Sequence, residues 1–311
     1  MKIKMLLPFI RRYQISVSIE RQYSYVVVMS SGWKKPTIEY CWSFLRVKEQ
    51  WLDELAYLIS LMELILKGRA KTFAVALPSE LCFFKKLKIS SKLKLAEIRA
   101  FINANLDEIF QSAAELVFDY QVLEFLQLTA EQSLVQIVAV AKELVLAVNK
   151  LLVVTNSNFS FLEPELYTLA RIAQNQVGNH FEKYVLVLHG TPSSFAWLLL
   201  NHWEIVEYGM KVEDAELGVV ADELFFTNIS EIFIWCGISN EQVGKILLSG
   251  EELGKAAELL TRLVDKIGIE AELAQPISPQ MFGKTNFETF RQELARMTVC
   301  FGLLNRIKDE N

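Results

Sequence analysis

Histidine is scarce in this chain. There are three, His180, His189 and His202, and no HExxH run. None sits at the spacing a metal needs, so a histidine-based metal centre is excluded. The four cysteines, Cys41, Cys82, Cys236 and Cys300, lie far apart and form no CxxC pair. That excludes a zinc ribbon and a dithiol redox motif. Their apolar contexts predict buried free thiols, which suits a reducing cytoplasm. Long apolar runs are also missing, and none reaches the ~18–20 residues of a membrane span. The nearest, 55–66, carries Glu63. Trp51, Leu55, Leu58, Met62 and Leu66 recur there at helical spacing, which predicts an amphipathic core helix. No signal peptide is expected, because Pro8 breaks a short apolar stretch and Arg11 and Arg12 follow it. Excess positive charge is lacking too. A formal net charge of -5 gives no footprint for direct nucleic-acid binding. A GxSxG elbow is absent. His189 and Ser193 have the residue types of a base and a nucleophile, but no carboxylate is evident to orient the imidazole.

What is present is a large apolar fraction, 52% of 311 residues, enough for two lobes with sizeable cores. The most informative stretch is 114–142. In 115–123, Leu116, Phe118, Tyr120 and Val122 share one parity and Asp119 and Gln121 the other, so one strand face is apolar and the other mixed. In 134–142 both parities are apolar, as in a central strand. The pair predicts a hairpin. A strand at 81–89 and a helix at 92–106 precede it, giving a β-α-β-β unit. Upstream, 15–29 predicts two strands joined by a polar turn, followed by a strand at 40–45, a helix from Trp51 and a strand at 71–77. Downstream, Leu144, Val148, Leu151 and Leu152 predict a helix over 143–153. A strand at 159–162 follows, and Pro164 opens another helix. The polar stretch 173–182 is the expected lobe boundary. Beyond it, 184–200 repeats the strand-turn-strand opening. Further on, 231–239 predicts a strand ending in a turn at Gly237. Helices are expected at 240–249 and 251–267, with Gly268 as a cap. A short strand at 269–274 and a closing helix at 286–306 complete the chain. Asp119 and Glu163 are expected to be solvated or turn-forming carboxylates.

Val75-Ala-Leu-Pro78, Phe118-Asp-Tyr-Gln-Val-Leu123, Val138-Ala-Val-Ala-Lys142 and Phe161-Leu-Glu-Pro-Glu-Leu-Tyr-Thr-Leu-Ala-Arg171 together resemble the PilM family. These are actin-like cytoplasmic proteins of type IV pilus and competence machines. The resemblance implies an α/β fold of two actin-like lobes with an inserted α+β subdomain of β-α-β-β order. The first lobe would take 12–77 and 143–176, the insert 78–142 and the second lobe 183–306. It also implies where ATP and Mg would sit. In actin-like ATPases a loop of the Asp-x-Gly-Ser type holds phosphate through backbone amides and the hydrated metal through its Asp. Here Ser18 stands at the Asp position, Glu20 at the Gly position and Gln22 follows. In the second loop Gly190 and Ser193 remain and Leu188 replaces the Asp. Gly237 alone remains of a glycine cluster beneath the adenosine. The expectation is therefore a degenerate site, as in the HofM and competence branch, with ATP and Mg binding lost or weak and no catalysis.

The resemblance further implies a partner, the cytoplasmic N-terminal peptide of a PilN-like inner-membrane protein. It would lie in a groove formed by Leu81, Phe83, Lys85, Leu87, Leu93, Ile98 and Phe101. The chain would act as a scaffold peripheral to the inner membrane, with homo-oligomers possible. Met5-Leu-Leu-Pro-Phe9 resembles the Leu-Leu-Pro-Trp type of motif in such tails and raises occupancy of the groove by the chain's own N-terminus. Two alternatives compete. One is an active actin-like ATPase. The other is a GspL-like type II secretion component, which would be expected to continue into a membrane helix beyond Asn311.

Overall fold

The computed structural model describes residues 12–31, 36–67, 69, 71–112, 115–124, 131–155, 158–178, 182–191, 194–212, 221–250, 256–275 and 294–309. The chain opens with an antiparallel meander, β1 (Arg12–Ile19), β2 (Tyr23–Ser31) and β3 (Thr37–Leu45). Helix α1 (Trp51–Ile65) and strand β4 (Lys71–Leu77) follow. An inserted unit comes next, made of β5 (Phe83–Ser90), α2 (Leu95–Ala104), α3 (Leu106–Phe110), β6 (Leu116–Leu123) and β7 (Gln132–Ala141). The chain returns through α4 (Lys142–Val154), β8 (Asn158–Pro164) and α5 (Glu165–Val177). The second half holds β9 (Tyr184–Thr191), β10 (Ser194–Asn201), β11 (Glu204–Val212), α6 (Ala221–Cys236), β12 (Val243–Gly250), α7 (Ala256–Ile267), β13 (Ala271–Leu273) and α8 (Thr298–Asp309).

Among the described residues three sheets result, and two of them are copies of one plan. The first runs β3-β2-β1-β4-β8 and the second β11-β10-β9-β12-β13. In each, a meander of three antiparallel strands is followed by two strands parallel to the first of them. The insert forms a separate sheet, β5-β7-β6, antiparallel throughout. Parity sets the layers. Tyr13, Ile15, Val17, Ile19, Val26 and Val28 face α1 and α4, while Tyr25, Val27 and Met29 face inward. Trp51, Leu55, Leu58, Ile59 and Met62 on α1 are buried, each worth roughly 1.5–3 kcal/mol relative to exposure. The inward face meets α5 and α8. A single core then continues from β2 and β4 through these helices to Val185 and Val187 of β9, Leu198 and Leu200 of β10 and Leu247 of β12.

Several elements differ from the sequence expectation. The stretch 231–239 is helical up to Cys236, not a strand. Ile229, Ile232 and Phe233 are buried while Ile234 and Trp235 are each 80% exposed, a helical spacing hidden within a β-branched and aromatic run. Gly237 follows that helix with φ +65°, the left-handed conformation of a helix end. The stretch 240–249 is a 3-10 turn leading into β12, not a helix. Val243, Ile246, Leu247 and Leu248 are all buried because β12 lies between β9 and β13, and a doubly covered strand has no alternation to betray it. The 92–106 helix breaks at Asn105 into α2 and α3. Helix α5 runs to Val177, into the stretch expected as the lobe boundary. Met5 to Phe9, His180, Ser193 and 286–293 lie outside the described residues.

Helices α5 and α8 meet at Gly302. A β-carbon there would lie 2.5 Å from the Thr168 carbonyl oxygen and 2.8 Å from Thr168 Cβ. In an open helix Gly302→Ala would add about 1 kcal/mol. At this contact it is expected instead to cost about 1–3 kcal/mol by overpacking. The urea midpoint reads the difference, and a midpoint raised by the substitution would refute the close contact.

Candidate functional site

Two cavities border α5. The first, about 350 Å³, opens between the halves and is lined in part by Glu20, Arg21, Arg46, Trp51, Glu165 and His189. Its first-half wall is the β1–β2 turn. The turn closes without glycine, as the Glu20 N–H donates to the Tyr23 carbonyl at 2.9 Å. Arg46 fastens it to the β3–α1 loop, donating through Nη1 to the Glu20 carbonyl (3.2 Å) and through Nε to the Lys48 carbonyl (2.8 Å). The buried Glu54 carboxylate accepts from the N–H groups of Val47 and Lys48 at 3.1 and 2.9 Å and from Ser24 Oγ at 2.8 Å. The turn and loop backbone is thus tied within the chain itself, while the Glu20 carboxylate oxygens are buried without a hydrogen bond.

Of the residues singled out for the degenerate nucleotide site, Ser18 is buried inside the first sheet, and Gln22 is exposed on the turn. Glu20 is 7% exposed and reaches across to His189, with Oε1 3.3 Å from Nε2. Gly190 lies under Gly250. With φ +105° and any β-carbon falling 2.1 Å from the Gly190 carbonyl oxygen, Gly250 has room only for glycine. Gly237 stands apart at the end of α6, where an added β-carbon would meet nothing within 4 Å. The strand-end glycine that the packing demands is therefore Gly250, which the helical reading of 240–249 concealed.

His189 has a carboxylate neighbour that the sequence did not reveal, although no hydrogen bond joins the two. Glu20 stands on its Nε2 side, and Ser249 Oγ is 2.9 Å from Nδ1. This carboxylate–imidazole–hydroxyl line has the order of a catalytic triad. However, Ser249 is 1% exposed and does not line the cavity, so its oxygen has no approach for a substrate carbonyl.

Glu165 begins α5 and lines the same cavity. Its Oε1 accepts from the N–H (3.0 Å) and the hydroxyl (2.7 Å) of Ser79. Burial pushes its carboxyl above the ordinary range, outweighing the opposing pull of His189 and of the Ser79 hydrogen bonds.

The second cavity, about 430 Å³, is a groove between the inserted sheet and the first half. Val117, Asp119 and Gln121 of β6 and Val138 and Val140 of β7 line one side. Leu162, Tyr167 and Arg306 stand on the other. None of Leu81, Phe83, Lys85, Leu87, Leu93, Ile98 or Phe101 lines it. Leu87, Leu93 and Ile98 fill the insert's own core. Phe83, Lys85 and Phe101 lie on its surface. Leu81 borders the interlobe cavity. The signal for the lining of this cavity was the mixed parity of 117, 119 and 121, a pattern that a solvated face shares.

Backbone parity shows what the groove offers. The Lys142 N–H donates to the Glu115 carbonyl at 2.8 Å. In an antiparallel ladder this makes the odd residues of β6 the ones bonded to β7. The amides and carbonyls of Leu116, Phe118, Tyr120 and Val122 then point to the open edge of the sheet. Across the groove, Glu163 is 4% exposed, not solvated as expected. Arg171 grips it with two bonds, of 2.7 and 2.9 Å, and Arg306 adds a third at 2.9 Å.

Two sheets of one plan with a three-stranded insert define an actin-like ATPase fold. No protein-family model matches the chain, and no curated protein sequence matches it. Solved structures do. A PilM–PilN type IV pilus biogenesis complex aligns with TM-score 0.71 and 17% identity over 94% of this chain and 98% of that one. A Bacteroides thetaiotaomicron protein with an actin-like ATPase fold and unknown function aligns with TM-score 0.52 and 9% identity, over 89% and 93%.

Glu165 makes a pH prediction. The folded chain holds its proton more tightly than the unfolded chain, whose carboxyl ionises near 4.5. Stability should therefore fall as pH rises above 4.5 and the unfolded state alone ionises. Glu165→Gln keeps an oxygen for Ser79 and removes the titration. The variant should exceed wild type in stability at alkaline pH, with the gap closing towards 4.5. Each tenfold difference in proton affinity is worth about 1.4 kcal/mol. Parallel stability–pH curves would contradict the assignment.

Proposed function

We propose that this protein is a non-enzymatic scaffold of a type IV pilus or competence assembly machine. It holds the extended cytoplasmic tail of a PilN-like inner-membrane protein in the groove beside β6. The observation that carries this reading is the open backbone edge of β6 alongside an apolar cavity. An extended peptide can pair with such an edge and set alternate side chains into the pockets. The likeness to a PilM–PilN complex supports it at the level of fold. In this reading the partner tethers the protein to the membrane.

The same reading leaves the interlobe cavity without nucleotide. A triphosphate needs amide donors, a cation and a metal-holding carboxylate. The β1–β2 turn ties up its backbone internally, Ser18 is sealed in the sheet, and Glu20 and Glu80 add carboxylates to a lining that also carries Arg21 and Arg46. At ~4 Å and an effective dielectric near 20, a like-charge contact costs on the order of 4 kcal/mol before relaxation.

Calorimetry tests both halves. A synthetic peptide of a PilN-like tail should bind, and Val117→Lys should weaken it at least tenfold, about 1.4 kcal/mol. Val117 is 37% exposed, so folding should survive. Mg-ATP at millimolar concentration should give no binding heat. Micromolar ATP affinity with turnover would replace the scaffold by an ATPase.

A further inference from the structure

The open edge of β6 is already capped at one point. The Tyr120 N–H points outward and donates to Asp119 Oδ1 at 3.0 Å. Asp119 is exposed on the groove face, between Val117 and Gln121. Its charge reaches across to Tyr167, whose phenol is pushed upward first by burial and then by Asp119.

A strand added to β6 must take the Tyr120 N–H for one of its own carbonyls. It then displaces the Asp119 carboxylate and covers it. A covered carboxylate without a partner is costly. The neighbouring cations are engaged elsewhere. Arg171 and Arg306 bind Glu163, and Arg99 lies 5.6 Å from the Phe118 ring centroid, on the insert-core side of the sheet. The compensating cation has to arrive with the strand.

We propose that Asp119 selects the partner of this groove: it caps the sheet edge in the free protein and, once displaced, pairs with a Lys or Arg side chain of the incoming peptide. The proposal rests on the peptide-groove reading above, and it names the occupant as an extended, apolar segment carrying a basic residue opposite Asp119.

Random peptides displayed on phage would be selected against the full chain. The best binder would then be synthesised with its basic residue intact and with that residue replaced by Gln. Wild type should prefer the basic peptide by about tenfold, the low end for close interfacial charge pairs. Asp119→Asn keeps an oxygen for the Tyr120 N–H but loses the charge, and should bind both peptides equally. Asp119→Ala also removes the cap, and should bind the Gln peptide more tightly than wild type does. An unchanged preference in both variants overturns the role of Asp119. Enriched peptides that Val117→Lys abolishes but that show no basic preference leave the groove reading standing and sink the selector. Enrichment of no peptide sinks both.

Discussion

The architecture depends on the contact between α5 and α8, where a helix backbone replaces a side chain. Gly302 lets α8 approach Thr168 until no methyl group fits. Arg171 crosses the same junction, donating to the Gly302 carbonyl at 2.9 Å while it holds Glu163. Because the two helices lie between the sheets, their spacing sets the spacing of the halves, and a single core runs through both. Interiors packed at this density transmit a displacement rather than absorb it. Both cavities inherit their walls from α5. Glu165 points to the interlobe cavity and Tyr167 to the groove, as residues two apart on a helix face nearly opposite ways.

The insert works against this frame as a brace with one occupied side. From β5, Phe84 packs on Tyr208 of β11 with ring centroids 4.9 Å apart, and Lys86 lies 3.6 Å from Glu207. The Glu124 N–H, just past β6, is held by Glu204 of the second half. The β5 edge is further guarded by Lys85, Lys86 and Lys88, the charge pattern that keeps sheet edges from pairing with other chains. The β6 edge has no such row of lysines; its outward positions are Leu116, Phe118, Tyr120 and Val122. One sheet thus presents one edge guarded by lysines and one without them, and the latter borders the cavity.

Much of this was legible in the sequence. The alternation of Leu116, Phe118, Tyr120 and Val122 fixed a half-buried strand, and the doubly apolar 134–142 fixed its central neighbour. The repeated opening at 15–29 and 184–200 announced two halves of one plan. Failures came where periodicity carries no information. A run such as Glu231-Ile-Phe-Ile-Trp is rich in strand formers, yet Ile232 and Phe233 pack together on one helix face. Val243 to Gly250 lacks alternation because both its faces are covered. The sites were harder still, since their partners come from distant parts of the chain. Glu163 is neutralised by Arg171 and by Arg306 of the last helix, and Glu20 meets His189 of the other half. No spacing rule connects such pairs.

The two cavities differ in how their polar groups are satisfied before any ligand arrives, and this difference decides what each can do. Binding gains little from groups that must first surrender good intramolecular partners, because it exchanges one set of hydrogen bonds for another. In the interlobe cavity much of the exchange is unfavourable, although the Glu20 carboxylate oxygens and Trp51 Nε1 are buried without a hydrogen bond. The Arg46 guanidinium, the Glu54 carboxylate and the turn amide of Glu20 already have partners, and the Glu20–His189 contact would have to open. In the groove one outward backbone group of β6, the Tyr120 N–H, is capped by a local hydrogen bond to the residue before it. Such a cap is among the weaker ones to break, as both groups are exposed. The charges differ as well: the cavity sets Arg21 and Arg46 beside Glu20 and Glu80, whereas the groove balances Glu163 with two arginines and leaves Asp119 for a cation. In this chain the open sheet edge lies on the insert, beside a groove and away from the cleft between the halves.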